Sequence, residues 1–270
     1  MKPFANRRAF LAPALVFLVA ASATAQQSPP SVQEVLDRVR AHLTTTAATL
    51  PDVFCDEKIE SSELHNGRVS RKMTFDSVIS ARKLESGDDK LTESRDVHLV
   101  DGKPPKKGKE YHLPVLLNGG FGLRFYSSLF SANDQCNAYG IVEGGASDGN
   151  LLELEVSRKV NSKQIAGCEE LSQGAVYRFW LDPVSYRIQR VESQVRIADG
   201  LRGFKSIAGR SDFAMVQLGP QFYSLPGSFR ATVTMEPNSS EQYTFEAHYS
   251  NCHKFEATSS IVPTPVEESH

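Results

Sequence analysis

Residues 179–197, FWLDPVSYRIQRVESQVRI, read as two extended runs joined by a tight turn. Tyr177, Phe179 and Leu181 alternate before Asp182-Pro183, and Val191, Val195 and Ile197 share one parity after it, the pattern of a hairpin with one buried face. Ile188 falls on the opposite parity from Val191, which predicts a bulge or bend between them, the device by which a strand re-aims its side chains in a curling sheet. The stretch therefore implies a mainly β fold whose antiparallel sheet is curved and has a concave side.

Working outward, strands are expected on both sides. Asn66-Gly67 is a strong hairpin signal between residues 54–64 and 68–84, and in the second arm Met73, Phe75 and Ile79 share a buried parity opposite Thr74, Asp76 and Ser80. Gly87-Asp88-Asp89 turns the chain into a strand over 92–100, which ends at Asp101-Gly102. Further strands are read at 136–142, 151–160, 175–181 and 186–197, then a glycine-containing loop at 199–210 and a strand over 212–218. The last pair alternates most cleanly, Phe229, Ala231, Val233 and Met235 against Tyr243, Phe245, Ala247 and Tyr249, joined through residues 237–240.

One clear helix precedes the strands. Ser31 with Glu34 forms a capping box, and Val32, Val35, Leu36, Val39 and Leu43 follow at helical spacing, so the helix needs an apolar surface to lie on. It is expected to fray at Thr44-Thr45-Thr46 and to end before Pro51. In mid-chain, residues 113–132 (LPVLLNGGFGLRFYSSLFSA) are the most apolar tract of the mature chain. Leu123, Tyr126, Leu129 and Phe130 are spaced for a short helix that would cover the concave side.

The first 25 residues have the form of an export signal: Lys2, Arg7 and Arg8, an apolar run over 10–21, and Ala23-Thr24-Ala25 before Gln26. Arg7-Arg8 leaves both the twin-arginine and the general secretion routes open. Its removal would leave 27 basic against 32 acidic residues, a net charge of −5, which argues against nucleic acid or an anionic lipid surface as the main partner. No later run is long enough for a membrane span. A single domain over 26–258 with a loose tail over 259–270 is expected, in the periplasm or secreted. Cys55, Cys136, Cys168 and Cys252 point to two disulfides in such a chain; of three connectivities, Cys136 with Cys168 and Cys55 with Cys252 is favoured.

Catalytic and metal signals are thin. Gly145-Ala146-Ser147-Asp148-Gly149 matches a nucleophile elbow, but a strand and not a helix follows it, so a hairpin loop is the better reading. The seven histidines form no ligand cluster, Glu153 with Glu155 and Asp182 with Glu192 fit solvent-facing or turn positions, and no metal or cofactor is implied. The basic loop at 103–109 reads as a solvated connection rather than an anionic-headgroup patch, and the Gly119-Gly120-Phe121-Gly122 run as a bend.

Trp180-Leu181-Asp182-Pro183 followed by Ile188-x-Arg190-x-Glu192, and later Tyr223-x-Leu225-Pro226 before a strand, resemble recurrent features of the periplasmic lipoprotein-carrier (LolA/LolB-like) superfamily. The order of one helix, a long antiparallel sheet and an apolar mid-chain insertion is similar as well. Phe54-Cys55, Val100-Asp101-Gly102-Lys103-Pro104 and Tyr249-Ser250-Asn251-Cys252 resemble, more narrowly, secreted proteins of acidobacterial type. The carrier resemblance implies a half-barrel of about ten or eleven strands wrapped on the first helix and a short mid-chain one, with an apolar cavity for acyl chains. The four cysteines and long loops depart from the usual carriers.

The expected function is that of an exported, non-enzymatic envelope protein that binds a lipid or other hydrophobic ligand in the concave face of its sheet. Candidate lining residues on the strands are Phe75, Ile79, Phe179, Phe229, Val233 and Phe245; those in the insertion are Leu123, Phe125, Tyr126 and Phe130. The alternative is a module with a filled core that binds another envelope protein, and a hydrolase acting through Ser147 is a distant third.

Overall fold

The computed structural model describes residues 29–83, 91–117, 126–142, 150–159, 168, 174–196, 203–235 and 240–255. The export signal, the turn at 87–89, the bend at 119–122, the loop at 145–149 with Ser147, and the tail lie outside the described residues, as do Leu123 and Phe125.

Helix α1 spans Val32–Thr49. Its start is the expected one: the Ser31 side chain accepts a hydrogen bond from the Glu34 N–H, and Val35, Leu36, Val39 and Leu43 form the buried stripe. The threonine run does not fray. The Thr45 hydroxyl bonds back to the Ala41 carbonyl and that of Thr49 to Thr45, so the last turns hold until Leu50 caps them.

Ten antiparallel strands follow: β1 Val53–His65, β2 Arg68–Lys83, β3 Leu91–Val100, β4 Asn137–Ile141, β5 Leu152–Arg158, β6 Val176–Leu181, β7 Ile188–Arg196, β8 Phe204–Leu218, β9 Gln221–Met235 and β10 Glu241–Lys254. They form one open sheet in the order β3-β2-β1-β10-β9-β8-β7-β6-β5-β4. The sheet is two meanders, β1 to β3 and β4 to β10, joined where the first strand pairs with the last. The Cys55–Cys252 disulfide crosses that joint, and Cys136–Cys168 ties the start of β4 to residue 168 between β5 and β6.

Turn chemistry fixes the hairpins. Asn66 and Gly67 both have positive φ, as do Asp101 and Gly102, the conformation these residues tolerate in tight turns. Between β6 and β7 the Asp182 carboxylate accepts from the Val184 and Ser185 N–H groups and the Ser185 hydroxyl; these hydrogen bonds hold its pKa below the usual carboxylate value. The bulge expected between Ile188 and Val191 is present: Trp180 pairs with Arg190 and Leu181 with Ile188, leaving Gln189 over.

Several sequence expectations need correction. The mid-chain helix is, in its described part, two short 3-10 turns, Tyr126–Leu129 and Ser131–Asn133. The loop read over 199–210 is strand β8 from Phe204, and β9 runs back through Pro226 to Gln221. Ser80 and Glu153, both placed on wet positions, are buried; Ser80 shares a hydrogen bond with Ser94, and Glu153 lies 3.6 Å from Arg178.

Candidate functional site: the apolar face and its cover

Strand register places one residue from every strand in a single transverse row: Ile141, Leu154, Phe179, Val191, Ser211, Phe229, Ala247, Ile59, Phe75 and Val100. All project to one face, because directly paired residues on antiparallel strands point the same way. Only Ser211 in the row is polar; its hydroxyl bonds to the Ser228 carbonyl. This face carries both cores. Val35, Leu36, Val39 and Leu43 of α1 pack on Leu154, Phe179 and Val191 at the β4–β7 end. At the other end Leu113 and Val115 pack with Ile59, Phe75, Phe229 and Phe245.

Topology explains the second cover. β3 and β4 are opposite edges of the sheet, so residues 101–136 must travel from one edge to the other. At one end Val115 is fastened to Ser61 and at the other Leu129 joins the helix cluster, so both of these described parts of the connection lie on the apolar face, where apolar residues are required. This is the physical reason for the insertion that the sequence displays.

The two covers are held differently. Around α1 the fastening is dense: Arg40 donates to the Leu129 carbonyl at 2.6 Å and pairs with Asp134, Tyr139 donates to Asp134 at 2.7 Å, and Tyr223 donates to the Thr49 carbonyl at 2.8 Å. Burial, first, and the Asp134 hydrogen bond push the Tyr139 hydroxyl up to about 12. Residues 111–117 of the crossing segment have neither helix nor strand. Its polar ties to the sheet are the Ser61 hydroxyl, which donates to the Val115 carbonyl at 2.9 Å and accepts its N–H at 3.0 Å, and Arg71, which donates to the His112 carbonyl at 2.7 Å. Ser61 thus imitates one rung of a β-ladder with a single side chain.

The six strand candidates lie together on this face: Phe75, Phe179 and Phe229 in the row, with Ile79, Phe245 and Val233 on the same side of β2, β10 and β9. Each is 6% exposed or less beneath the covers. Tyr126 and Phe130 are half-buried; Tyr126 packs on the cluster formed with α1, burial raises its pKa, and its ring packs against Phe213 at 6.0 Å. Asp182 and Glu192 lie in the β6–β7 turn and on the other face of the sheet, apart from this site.

Sequence reading missed the charged pair inside the apolar face. Glu57 is fully buried on the inward parity of β1, where Arg95 of β3 grips its carboxylate through Nε and Nη2, the latter at 2.7 Å, and Ser77 donates at 2.7 Å. Burial opposes the Arg95 charge, but the bonds and charge of Glu57 outweigh it and raise its pKa. Tyr249, opposite Glu57 on β10, is raised by burial and then by the Glu57 charge. The signal available was alternation: Val53, Cys55, Glu57, Ile59 and Ser61 share one parity. Among the described residues no group of His, Cys, Asp and Glu is placed to hold a metal ion, and no helix is long and apolar enough to cross a membrane.

No family model matches the chain, and no curated protein matches it in sequence. Several solved structures are similar to it, three of them as follows. A domain assigned to the outer membrane lipoprotein-sorting proteins, from Vibrio parahaemolyticus, shares 13% identity over 82% of this chain and 92% of its own, with a TM-score of 0.40. A DUF1329 family protein from Desulfovibrio piger shares 13% over 86% and 96%, with a TM-score of 0.46. A LolA superfamily protein from Nitrosomonas europaea shares 10% over 85% and 96%, with a TM-score of 0.33.

Proposed function

We propose that this chain is an exported, non-enzymatic envelope protein that takes a lipid or another hydrophobic ligand onto the apolar face of its sheet. The observation that supports this reading is the asymmetry of the cover. One half of a continuous apolar face lies under a helix fastened by several hydrogen bonds; the other lies under an irregular segment tied by Ser61 and Arg71. Few backbone bonds and no regular structure make 111–117 the part that lifts at least cost, and lifting it would open Phe75, Phe229 and Phe245 to an acyl chain. The basic and apolar leader ending near Ala25 and the two disulfides fit a periplasmic or secreted protein, and the resemblance to secreted acidobacterial proteins belongs to the same reading.

The near-complete burial of the six strand candidates favours a second reading, in which the face is a filled core and the protein binds another envelope protein instead. Titration with a fluorescent polyene fatty acid separates the two. Saturable binding at one site per chain, displaced by an unlabelled fatty acid and strengthened when Ser61→Ala loosens the cover, is expected for a carrier. Absence of saturable binding in both wild type and Ser61→Ala would refute ligand carriage and leave the filled core.

A further inference from the structure

The opposite face of the sheet carries a second transverse row. From β5 to β1 it reads Glu155, Arg178, Glu192, Arg210, Arg230, Glu246 and Glu60. The first four alternate in sign and pair with their neighbours, Arg178 with Glu155 at 3.0 Å and Arg210 with Glu192 at 3.6 Å. Alternation then breaks: Arg210 stands directly opposite Arg230, and Glu246 directly opposite Glu60. Like charges abreast on adjacent strands destabilise a sheet, so strand pairing does not account for this arrangement.

The break coincides with a hollow. A cavity of about 400 Å³ lies over it, lined by Arg210, Arg230, Glu246 and Glu60 together with the cross-strand pair Thr232 and Thr244. Around its rim the other charges are engaged: Arg210 with Asp212 at 2.8 Å, Glu246 with His248 at 3.0 Å, and Glu60 with Lys72 at 2.7 Å. The exposed guanidinium of Arg230, although in register with Glu246, takes part in none of these pairs. The lining therefore has two positive groups at one end, two negative at the other and no net formal charge.

We infer that this hollow binds a zwitterion, with a phosphate or carboxylate on Arg210 and Arg230 and an ammonium group on Glu246 and Glu60. The planar guanidinium fork suits a tetrahedral or planar oxyanion, and the threonine hydroxyls supply donors beside it. Strands lie about 4.8 Å apart, so the two ends recognise opposite charges separated by about 5–10 Å. A phosphoethanolamine group meets that requirement, whether free in solution or carried as a lipid headgroup. The inference is independent of ligand carriage on the apolar face.

The test is a calorimetric and amide-shift titration with O-phosphoethanolamine, inorganic phosphate and ethanolamine, at fixed ionic strength. Phosphoethanolamine is expected to bind at least tenfold more tightly than either half and to shift the Thr232 and Thr244 amides. Arg230→Gln, at an exposed site, should weaken it at least tenfold without lowering Tm, and Glu60→Gln should reduce its affinity to that of phosphate. Sedimentation with phosphatidylethanolamine vesicles against pure phosphatidylcholine vesicles distinguishes the sources: Arg230-dependent co-sedimentation with the first alone indicates a lipid headgroup, and binding of the free compound alone indicates a soluble zwitterion. Equal affinity for phosphate and phosphoethanolamine, or binding indifferent to Arg230→Gln, would overturn the inference.

Discussion

Ser61→Ala tests how the crossing segment is held. The substitution removes one oxygen and leaves the Val115 N–H and carbonyl, both in the buried layer over β1, without their partner on the sheet. Two hydrogen bonds at a net contribution of about 1 kcal/mol each give about 2 kcal/mol, which raises the population with 111–117 lifted off by about 30-fold. The Arg71 bond to the His112 carbonyl persists, so one end of the segment stays tethered. Hydrogen exchange read by mass spectrometry at fixed pH should show the peptide over 111–117 losing protection by roughly that factor, while peptides from α1 keep theirs, because the helix is fastened through Arg40 and Tyr223 instead. Unchanged protection over 111–117 would mean that packing of Leu113 and Val115 alone holds the segment. An equal loss in α1 would mean that the two covers open as one unit, and either result would refute the asymmetry of the covers.

Arg95→Met should cost about 3–5 kcal/mol in urea unfolding, because it strands the buried Glu57 carboxylate, and adding Glu57→Leu should recover most of that loss; additive losses would contradict the pairing. Replacing Cys55 and Cys252 by serine should cost up to about 5 kcal/mol by loop entropy, against about 4 kcal/mol for Cys136 and Cys168, since the first pair closes 197 residues and the second 32; calorimetry of the two double variants checks the order. His42 has its pKa held below 6.5, first by burial and then by the Arg187 charge, so the unfolded chain takes up its proton first as pH falls. Its contribution is complete above pH 6.5 and is lost as pH drops toward the folded-state pKa; His42→Gln should flatten the decline in urea midpoint over that window, and an unaltered profile would refute it.

Local pattern carried most of the architecture, and non-local pairing carried the rest. The α1 stripe, the Asn66-Gly67 hairpin, the Gln189 bulge and the parities of β9 and β10 are written in neighbouring residues. That β1 lies beside β10 leaves no periodic trace; Cys55 and Cys252 hinted at it only through an assumed pairing. The first half of β8 reads in the sequence as part of a glycine-containing loop over 199–210, whereas Gly209 lies within the strand. A Cβ there would come within 3.1 Å of the Ser193 hydroxyl and 3.3 Å of the Phe229 ring, so the glycine marks a close approach inside a strand. On the candidate site, alternation identified the lining but not its exceptions. Glu57 and Ser61 occupy inward positions that alternation reserves for apolar residues, and their partners, Arg95 and Ser77 for the first and the Val115 backbone for the second, make those positions tolerable.

Native mass spectrometry of the protein, purified from the cells that produce it with non-covalent ligands retained, tests ligand carriage most directly. A reproducible added mass that organic extraction resolves into an acylated molecule, retained or increased in Ser61→Ala, is the result expected if the crossing segment covers a lipid-binding apolar face. A bare protein mass that persists after incubation with envelope lipids would contradict it and assign the apolar face to the protein's own core.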